Sequence, residues 1–260
     1  MGIISQILGF GKRSSNKSKA VSKMPRAKMT NVLVDMHSHL IPGIDDGVET
    51  YEEAIEIIKS MMHAGYRKLI TTPHVMSDGY PNTTEIILSG FETLKNKVEE
   101  EGLEIDLEVA AEYYVDAHFE SLVNKGDILT IGDNNVLIEF SYLNKPINYK
   151  DILVTLFEKG YKPILAHPER YVFLQNDKSG FDELKDMGVQ FQLNLFSLIG
   201  LYDRASQYHG RRLIEKEMVD YLGTDIHRSH QIKHFKRALS SRYLHYLIKE
   251  NQLKNLFLKL

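Results

Sequence analysis

Short apolar runs alternate with stretches of helical period from residue 31 to the end of the chain. The runs are rich in β-branched and aliphatic residues, and the stretches between them are amphipathic. Seven strands are therefore predicted, at residues 32–36, 68–72, 107–111, 136–140, 163–166, 189–193 and 218–222. Strands that are separated by helices pair in parallel through crossover connections, so the pattern predicts an α/β fold.

The first predicted helix has the clearest boundaries. Thr50 and Glu53 have capping-box spacing, and Gly65 follows the last apolar position of the stretch. Further helices are predicted at residues 84–101, 148–159, 181–187, 211–217 and 230–249. Because seven strand–helix units occur without a glycine-rich phosphate-binding motif, we expect a closed or nearly closed barrel rather than an open, doubly wound sheet.

Charge divides the chain near residue 30. The first 30 residues carry seven basic residues and no acidic one, whereas the rest carries 25 basic and 35 acidic residues. Residues 13–28 are also rich in serine and lysine and lack an apolar period, so we predict a flexible basic tail at residues 1–30 and a barrel domain at residues 31–260. A peptide that contacts a membrane surface or a partner is the alternative for the tail. The acidic body argues against nucleic acid as a partner.

Composition excludes several kinds of chemistry. The 260 residues include no cysteine, which rules out disulfides, iron–sulfur clusters, cysteine-ligated zinc and a cysteine nucleophile. The hydrophobic and charged fractions, 43% and 26%, are close to those of ordinary globular proteins. No apolar run approaches the length of a membrane span, so we expect a cytoplasmic protein, with a peripheral location at the inner membrane as a variant of that expectation.

Potential metal ligands follow most of the predicted strands. The carboxyl ends of parallel strands meet at one rim of a barrel, where such folds build active sites. Two pairs, His37 with His39 and Asp225 with His227, are spaced two residues apart, so each pair points to one side of an extended segment. A single such pair arises easily by chance, but the recurrence at several strand ends favours a polynuclear metal site. The strand-end candidates are His37, His39, His74, Glu112, Glu139, His167, Asp225 and His227.

Other polar residues have a simpler interpretation. Asn194 also follows a predicted strand, but it can serve only to satisfy a backbone group there. The remaining histidines in or beside predicted helices are expected at the surface, without a functional role: His63, His118, His209, His234 and His245.

These motifs, in this order, resemble the PHP (polymerase and histidinol phosphatase) superfamily. They are most similar to the bacterial tyrosine-protein phosphatases of capsular and exopolysaccharide gene clusters. The matching segments are residues 35–47, 72–74, 111–114, 137–139, 166–171 and 223–227, and the resemblance extends over about residues 31–250. It implies a distorted (β/α)7 TIM-like barrel, which agrees with the seven units predicted from periodicity.

The resemblance also implies three divalent metal ions, with manganese the first expectation and iron, zinc or cobalt as alternatives. It adds Asp46 to the candidates, although an Asp-Gly pair is also an ordinary turn signal. The implied ligands are His37, His39 and Asp225 for one ion, Glu112 as a bridge, Glu139 and His167 for a second ion, and Asp46, His74 and His227 for a third.

Two catalytic residues are predicted beside the metals. Arg170 matches an arginine that contacts phosphate, and its guanidinium can grip two oxygens at once; an exposed loop arginine is the alternative. Asp45 is a candidate proton donor to the leaving group, together with a water molecule or a histidine. The family pattern has a second arginine after the Asp-x-His pair, but Arg228 lies too close to that pair, so His230 or Lys233 is expected to substitute.

The function implied by the resemblance is metal-dependent hydrolysis of phosphotyrosine in a protein, without a covalent intermediate. The implied substrate is a membrane-associated bacterial tyrosine kinase that controls exopolysaccharide synthesis or export, and the basic tail would favour contact with an anionic membrane. Two alternatives remain: a phosphatase for histidinol phosphate or another small phosphomonoester, and a non-catalytic module that binds a kinase.

Overall fold

Strands and helices alternate along residues 33–177, 179–250 and 253–258, which are the residues that the structure, a computed structural model, describes. The predicted basic tail, residues 1–30, lies outside the described residues. The strands are β1 (Val34–Asp35), β2 (Lys68–Thr71), β3 (His74–Val75), β4 (Asp106–Val109), β5 (Glu112–Tyr114), β6 (Asn135–Glu139), β7 (Lys162–Ala166), β8 (Gln190–Asn194) and β9 (Tyr221–Gly223).

The helices connect the strands and cover the outside of the sheets. The α-helices are α1 (Tyr51–Ala64), α2 (Thr84–Glu100), α3 (Ala117–Lys125), α4 (Tyr149–Glu158), α5 (Val172–Asn176), α6 (Gly180–Asp186), α7 (Arg204–Glu215), α8 (Phe235–Leu239) and α9 (Arg242–Glu250). Four short 3-10 helices are Pro168–Arg170, Leu195–Ile199, Ser229–His234 and Lys254–Phe257. None of the helices in the described ranges is both long enough and apolar enough to cross a membrane.

Within the described residues, these nine strands pair only in parallel, and they form two sheets with the orders β1-β2-β4 and β3-β5-β6-β7-β8-β9. Nine strands take the place of the seven predicted ones, because the strands predicted at 68–72 and 107–111 are each followed, after a short interruption, by a further strand that was not predicted, β3 and β5. Pro73 separates β2 from β3, since its ring nitrogen has no hydrogen to donate to a ladder. Hydrogen bonds from Ala110 N to Thr71 O and from Glu112 N to Pro73 O carry the pairing across both interruptions.

The first and last strands meet beyond their assigned ends. Ser38 and Ile226 form a parallel bridge, with a hydrogen bond of 3.0 Å from His39 N to Ile226 O and one of 2.8 Å from Asp225 N to His37 O. One bridge takes the place of a full ladder between β1 and β9. This arrangement confirms the predicted α/β fold of distorted (β/α)7 barrel type.

A small apolar cluster lies among the strands, beneath the rim on which the predicted ligands lie. It includes Val34, Ile70, Leu137, Ile164 and Tyr221, each buried and each from a different strand. A second and larger cluster joins the sheets to the surrounding helices. Side chains from several strands thus fill the interior, as in other parallel barrels, and the rim rests on a packed support.

Helix α1 begins and ends where its capping signals predict. The hydroxyl of Thr50 accepts from Glu53 N at 3.2 Å, and Gly65 has the left-handed backbone, with φ of 107°, that closes many helices. The Glu53 carboxylate accepts from Ser229 N at 2.9 Å, so the start of α1 is also tied to the loop after β9. The capping signals at Thr50 and Gly65 therefore fix the ends of helix α1, which follows the candidate ligands His37 and His39 along the chain.

The prediction was wrong for four helical regions, one of which is α5, a helix that was not predicted. The helix predicted at 230–249 is three pieces, with a break at Ser240 and Ser241 between α8 and α9. Helix α7 begins seven residues before its predicted start, because Asp203 caps it by accepting from Ser206 N at 2.7 Å. Helix α3 was not predicted; Asp116 caps it by accepting from Phe119 N at 2.8 Å.

Candidate active site

All nine predicted metal ligands lie within one connected cluster at the carboxyl ends of the strands. Each strand except β2, β4 and β8 delivers at least one of them. β3 and β5 deliver His74 and Glu112 from their first residues, just after the ends of β2 and β4, and the other strands deliver theirs from a last residue or from the segment that follows. His37 and His39 point to the same side of an extended segment, with their Nε2 atoms 3.2 Å apart. Ser38 between them donates instead to Ile70 O at 3.1 Å, so the alternation predicted for this segment holds.

Glu112 occupies the middle of the cluster. Its Oε2 lies 3.2 Å from Nε2 of His37 and 3.2 Å from Nδ1 of His74, and its Oε1 lies 3.1 Å from Nε2 of His167. Glu139 approaches the same histidine, with Oε1 3.6 Å from His167 Nε2. A carboxylate with neighbours on both oxygens has the arrangement needed to bridge two cations.

The two remaining carboxylates lie at other parts of the cluster. Oδ1 of Asp225 is 3.4 Å from Nε2 of His37 and 3.5 Å from Nε2 of His39. Oδ1 of Asp46 is 3.5 Å from Nε2 of His74 and 3.4 Å from Nε2 of His227. The loop residue Asp46 therefore joins the strand-end residues, in addition to any role in its turn.

Three overlapping groups in the cluster could hold metal ions, because ligand atoms within each group lie within 4.8 Å of one another. Imidazole nitrogens and carboxylate oxygens together suit divalent transition metals. The groups are His39, Asp46, His74 and His227; His37, His39 and Glu112; and His74, Glu112 and Glu139.

Three of the imidazoles are held by their other ring nitrogen. Nδ1 of His37 donates to Oε1 of Gln192 at 2.9 Å, and Nδ1 of His39 donates to Oδ2 of Asp45 at 2.8 Å. Nδ1 of His227 donates to the backbone carbonyl of Asp225 at 3.0 Å. Since these oxygens only accept, the Nδ1 proton is fixed, and the neutral form of each imidazole that a cation would bind directs its Nε2 lone pair into the cluster, which is the usual support for a metal-binding histidine. This independent feature shows that the donor set fits divalent cations.

Burial and neighbouring charges shift the pKa values in the cluster strongly. Burial opposes ionisation of Glu112, but the charge of His37 holds the pKa of this carboxyl well below its usual range. Burial and the charge of Glu112 raise the pKa of Glu139 well above its usual range. Burial lowers the pKa of His167 to about 4. Such divergent pKa values within one cluster are typical of functional sites.

Two residues of the cluster have a backbone conformation that is unusual for a side chain other than glycine. His167 has φ of 32° and Asp225 has φ of 52°. Left-handed backbone of this kind costs on the order of 1–3 kcal/mol and is retained at functional sites when the surroundings fix it. Asn194 supplies part of that fixing, because its Nδ2 donates to Asp225 Oδ2 at 2.7 Å. Asn194 thus supports a candidate ligand, beyond the backbone role expected for it.

Arg170 lies at the edge of the cluster between two aromatic rings. Its guanidinium carbon is 4.7 Å from the ring centre of Tyr142 and 4.2 Å from that of Tyr202, and Nη1 donates to Asp225 Oδ2 at 3.0 Å. Its side chain is 22% exposed, so it is a held group and not the freely exposed loop arginine considered as the alternative. Stacking and the ion pair fix the guanidinium plane beside the cluster.

The cluster opens into a cleft of about 390 Å³. Tyr80, Tyr142 and Tyr202 contribute aromatic walls, and Arg170 lies among the lining residues. Gln231 lines the cleft, whereas Arg228, His230 and Lys233 do not. Arg228 pairs instead with Glu49 at 2.8 Å. His230 and Lys233 are therefore not placed at the cleft, and the structure gives no support to either as a replacement for a second arginine.

Asp45 lies behind the cluster, not in the cleft. Its side chain is fully buried, and Oδ2 accepts from His39 Nδ1 and from His74 N, at 2.8 and 3.0 Å. Burial opposes its ionisation, but the charge of His39 and the Gly47 N–H lower its pKa to about 2. A buried carboxylate that is already ionised has no proton to donate, so this geometry favours a positioning role over the predicted role as proton donor.

Sequence reasoning missed Gln192, Tyr142 and Tyr202. Gln192 lies on β8 and accepts from both His37 Nδ1 and His167 N, the latter at 3.1 Å. An inward-facing glutamine in an apolar strand is the signal that could have identified it, whereas Tyr202 follows no strand end and carries no signal. Of the histidines predicted at the surface, His209, His234 and His245 are half-buried, and the ring centre of His209 lies 6.0 Å from that of Phe181.

The fold and this cleft define a parallel α/β barrel-type protein with a rim of histidine and carboxylate side chains. The chain belongs to the CpsB/CapC capsular polysaccharide synthesis family, whose sequence model matches residues 33–259.

Individual relatives are similar over most of their length. The tyrosine-protein phosphatase YwqE of Bacillus subtilis (strain 168) is 26% identical over 196 residues, covering 75% of this chain and 77% of YwqE. A putative tyrosine-protein phosphatase CapC of Staphylococcus aureus is 29% identical over 197 residues, with the same coverage of both chains. The crystal structures of YwqE and of CpsB from Streptococcus pneumoniae, described as metal-dependent tyrosine phosphatases, include a chain that superposes with a TM-score of 0.75. That match has 25% identity and covers 84% of this chain and 87% of the other.

Proposed function

We propose that this protein is a metal-dependent tyrosine-protein phosphatase that acts on phosphotyrosine in a bacterial tyrosine kinase of capsule or exopolysaccharide synthesis. The observation that carries the proposal is the cluster of five histidines and four carboxylates in contact at one rim, beside a fixed arginine. Similarity to proteins named as tyrosine phosphatases supports the choice of substrate.

The proposed cofactors are three divalent cations, with manganese first and iron, zinc or cobalt as alternatives. The proposed ligand sets are His37, His39 and Asp225 for the first ion, Glu139 and His167 for the second, and Asp46, His74 and His227 for the third, with Glu112 as the bridge between the first two. Bound cations of this kind supply Lewis-acid charge for phosphate oxygens and lower the pKa of water from 15.7 to about 7.

Arg170 has the role of binding the phosphoryl group. The ion pair with Asp225 uses one nitrogen of the guanidinium, and the cleft-facing remainder of the fork can donate to two phosphate oxygens. Because Tyr142 and Tyr202 hold the guanidinium, little rotational freedom is lost when phosphate binds. Positive charge there stabilises the transferring group in the transition state.

The aromatic walls of the cleft favour an aryl substrate. Tyr80 stacks on His74 with ring centres 5.6 Å apart, and Tyr142 stacks on His167 at 5.7 Å, so rings flank the cluster on two sides. Offset or edge contacts between aromatic rings suit the phenyl ring of phosphotyrosine. The phenolate released has an ordinary pKa of about 10 and needs less help from a proton donor than an alkoxide does.

The proposal is tested by chelation and metal restoration with a phosphotyrosine peptide as substrate. We expect activity to disappear on chelation and to return with Mn²⁺, and elemental analysis should find metal in the active protein. His37→Ala is the matched control and should stay inactive with Mn²⁺. Full activity in the chelator, with metal absent by elemental analysis, would contradict the proposal.

The two alternatives are separated by the same assay. Histidinol phosphate and sugar phosphates are compared with the peptide at equal concentration, and we expect the peptide to have the highest kcat/KM. A higher kcat/KM for histidinol phosphate would favour the small-substrate phosphatase. Metal content without hydrolysis of any phosphomonoester would favour a non-catalytic binding module.

The domain division and the location form a further part of the proposal. We propose that residues 31–260 form the catalytic unit in the cytoplasm, and that the basic residues 1–30 keep it near a membrane-associated kinase substrate. Seven basic residues without an acid suit the anionic inner leaflet. Deleting residues 1–30 should reduce co-sedimentation with anionic vesicles, and unchanged co-sedimentation would remove this part.

A further inference from the structure

A second cavity, which we call the basic groove, lies outside the candidate active site. It has a volume of about 780 Å³ and lies between the 3-10 helix Leu195–Ile199, helices α7 and α8, and the start of α9. Five cationic side chains line it, and no acidic side chain is among its described lining residues. The five are Arg211, Lys233, Lys236, Arg237 and Arg242.

Two arginines of the basic groove, Arg211 and Arg237, are held in place. Nη2 of Arg211 donates to Leu198 O at 3.1 Å, and its guanidinium carbon lies 4.8 Å from the ring centre of Tyr243. Nη2 of Arg237 donates to Ile199 O at 2.8 Å. Nε of Arg211 is buried and has no hydrogen-bond acceptor. Fixed guanidinium groups with an unused buried donor form a prepared site for an anion.

The lysines of the basic groove keep their charge available. Lys233 and Lys236 are exposed, and neither makes an ion pair with another residue in the described ranges. The unpaired positive charges of these two lysines contrast with the acid-rich body of the chain. Cavities lined by one sign of charge raise the local concentration of ligands with the opposite charge.

The basic groove borders the candidate active site. Ile199 lines the basic groove, and Tyr202, three residues later, lines the cleft. Likewise Lys233 lines the basic groove, and Gln231, two residues earlier, lines the cleft. Three residues span at most about 11 Å, so on both segments a residue that lines the basic groove lies within that distance of one that lines the cleft. An extended peptide rises about 3.3 Å per residue, so residues three to six positions from a tyrosine in the cleft reach the basic groove.

We propose that the basic groove binds acidic side chains of the protein substrate that lie three to six residues from the phosphotyrosine. This inference rests on the proposed function and adds a determinant of substrate choice to it. The substrate sequence would then be recognised outside the cleft, by side chains of the basic groove that do not touch the reacting phosphate.

The test compares two peptides with one phosphotyrosine each, flanked at positions three to six on both sides by glutamate in one peptide and by glutamine in the other. The Mn²⁺-loaded full chain should hydrolyse the glutamate peptide with about tenfold higher kcat/KM, mainly through a lower KM, and salt should reduce this preference. The double variant Lys233→Glu/Lys236→Glu should lose the preference. Each rate is divided by that for para-nitrophenyl phosphate, which reports on the cleft alone.

The matched control is Lys95→Glu/Lys125→Glu, which makes the same change in net charge at exposed positions that do not line the basic groove. This control should keep the preference for the glutamate peptide. If it lost the preference as fully as Lys233→Glu/Lys236→Glu does, the effect would be due to net charge and the inference would be overturned. An unchanged preference in Lys233→Glu/Lys236→Glu would also overturn it. The inference would also be overturned if this double variant kept the peptide preference but no longer bound phosphatidylglycerol vesicles. That result would make the basic groove a lipid site. If the wild type hydrolysed none of the three substrates, that is, neither peptide nor para-nitrophenyl phosphate, the result would instead count against the proposed function itself.

Discussion

Asp45 positions two members of the candidate site at once, because one of its oxygens accepts from both His39 Nδ1 and His74 N. Its other oxygen accepts from Gly47 N at 2.9 Å and so fixes the loop that carries Asp46. A carboxylate that orients a metal-binding imidazole in this way raises the basicity of the ligand and fixes its tautomer. The buried carboxylate therefore acts on the cluster through His39 and does not reach the cleft.

Asp45→Asn is expected to lower metal affinity and activity by roughly 10- to 100-fold, because an amide cannot accept on both of its polar atoms. Metal affinity is measured by titration calorimetry and activity with para-nitrophenyl phosphate. Asp78→Asn, a change at an exposed aspartate, is the control and should leave both values unchanged. Undiminished metal affinity in Asp45→Asn would show that His39 does not need its partner.

Arg170→Lys should reduce kcat/KM by about 100-fold while leaving metal content intact. An ammonium group cannot replace the planar fork that Tyr142 and Tyr202 hold, and losing a transition-state donor commonly costs 10²- to 10³-fold. Steady-state kinetics on a phosphotyrosine peptide and elemental analysis provide the two measurements. Arg204→Lys, at an exposed position, serves as the control. Near-wild-type kinetics in Arg170→Lys would assign phosphate binding to other groups.

His209 gives a prediction about pH that is separate from the metals. Burial lowers its pKa below 6.5, so the unfolded chain takes up a proton before the folded chain does. The stability contributed by neutral His209 is present above about pH 6.5, and it is lost as the pH falls towards the lowered pKa. His209→Gln should therefore lose less stability than the wild type between pH 8 and pH 5.5, measured by urea unfolding. An equal loss in both proteins would contradict the packing of His209 against Phe181.

At the residue scale, the sequence predicted the site residues that lie at the ends of predicted strands. It missed those whose place in the site does not follow from their position along a strand. The strand-end positions of His74 and Glu139 follow directly from apolar periodicity. Gln192 supports two histidines only because β8 lies beside β7 in the sheet, and Tyr202 reaches Arg170 through a loop of irregular path. Contacts of this kind depend on tertiary structure, which spacing along the chain does not encode.

At the scale of elements, close approach between strands restricts residue size below the site. A Cβ added to Gly223 would lie 2.6 Å from His37 Cβ and 2.7 Å from Gln192 Nε2. Both neighbours are buried and belong to strands or strand ends that hold the site. A glycine is therefore required at the end of β9 for β1 and β8 to keep their places.

Gly223→Ala should destabilise the protein by about 1–3 kcal/mol and displace His37, with a parallel loss of activity. Gly79→Ala is the control, because the atom nearest its added Cβ is the flexible sulfur of Met76, 2.9 Å away. Thermal unfolding and activity are measured for both variants. A Gly223→Ala protein with wild-type stability would mean that β1 and β8 can move apart freely.

Helices were predicted well where both ends carry local signals. Helix α1 has Thr50 at its start and Gly65 at its end, and both behave as expected. The region 230–249 has continuous amphipathic character and neither proline nor glycine, so a single helix was predicted. Its break at Ser240 and Ser241 lets α8 and α9 pack separately on the core, through Leu239 and Leu247 among others. Ser241 directly precedes α9, and serine is a preferred N-cap residue, so the serine pair is a local signal that the single predicted helix ignored.

At the scale of the whole molecule, the cluster couples metal binding to stability. Ligands from six strands or the segments after them converge there, so a cation bound to the folded chain joins parts that are separate in the unfolded one. A ligand at one hundred times its Kd adds about 2.7 kcal/mol to the free energy of unfolding.

Alternation of strands and helices predicted the seven units, but the bridge between Ser38 and Ile226 could not be predicted, because residues so far apart leave no periodic signal.

Chelation is therefore expected to lower the Tm by on the order of 5–10 °C for each ion lost, and Mn²⁺ should restore it. Differential scanning fluorimetry with matched elemental analysis measures the effect. His37→Ala should show a smaller response to the same treatment, since one ligand is missing. A Tm that is unchanged after verified removal of metal would show that the cations do not link the strands.

The meeting of the first and last strands also constrains the biosynthesis of this protein. Thr224 Oγ1 lies 3.3 Å from His37 O across a separation of 187 residues, and candidate ligands lie on both sides of that junction. At ribosomal rates of about 5–20 residues per second, roughly 10–40 s pass between the synthesis of the two segments. A nascent chain thus carries its first histidine pair long before the carboxylate and imidazole that complete the cluster. Premature termination before β9 would leave a polypeptide with most of its candidate ligands and no assembled site.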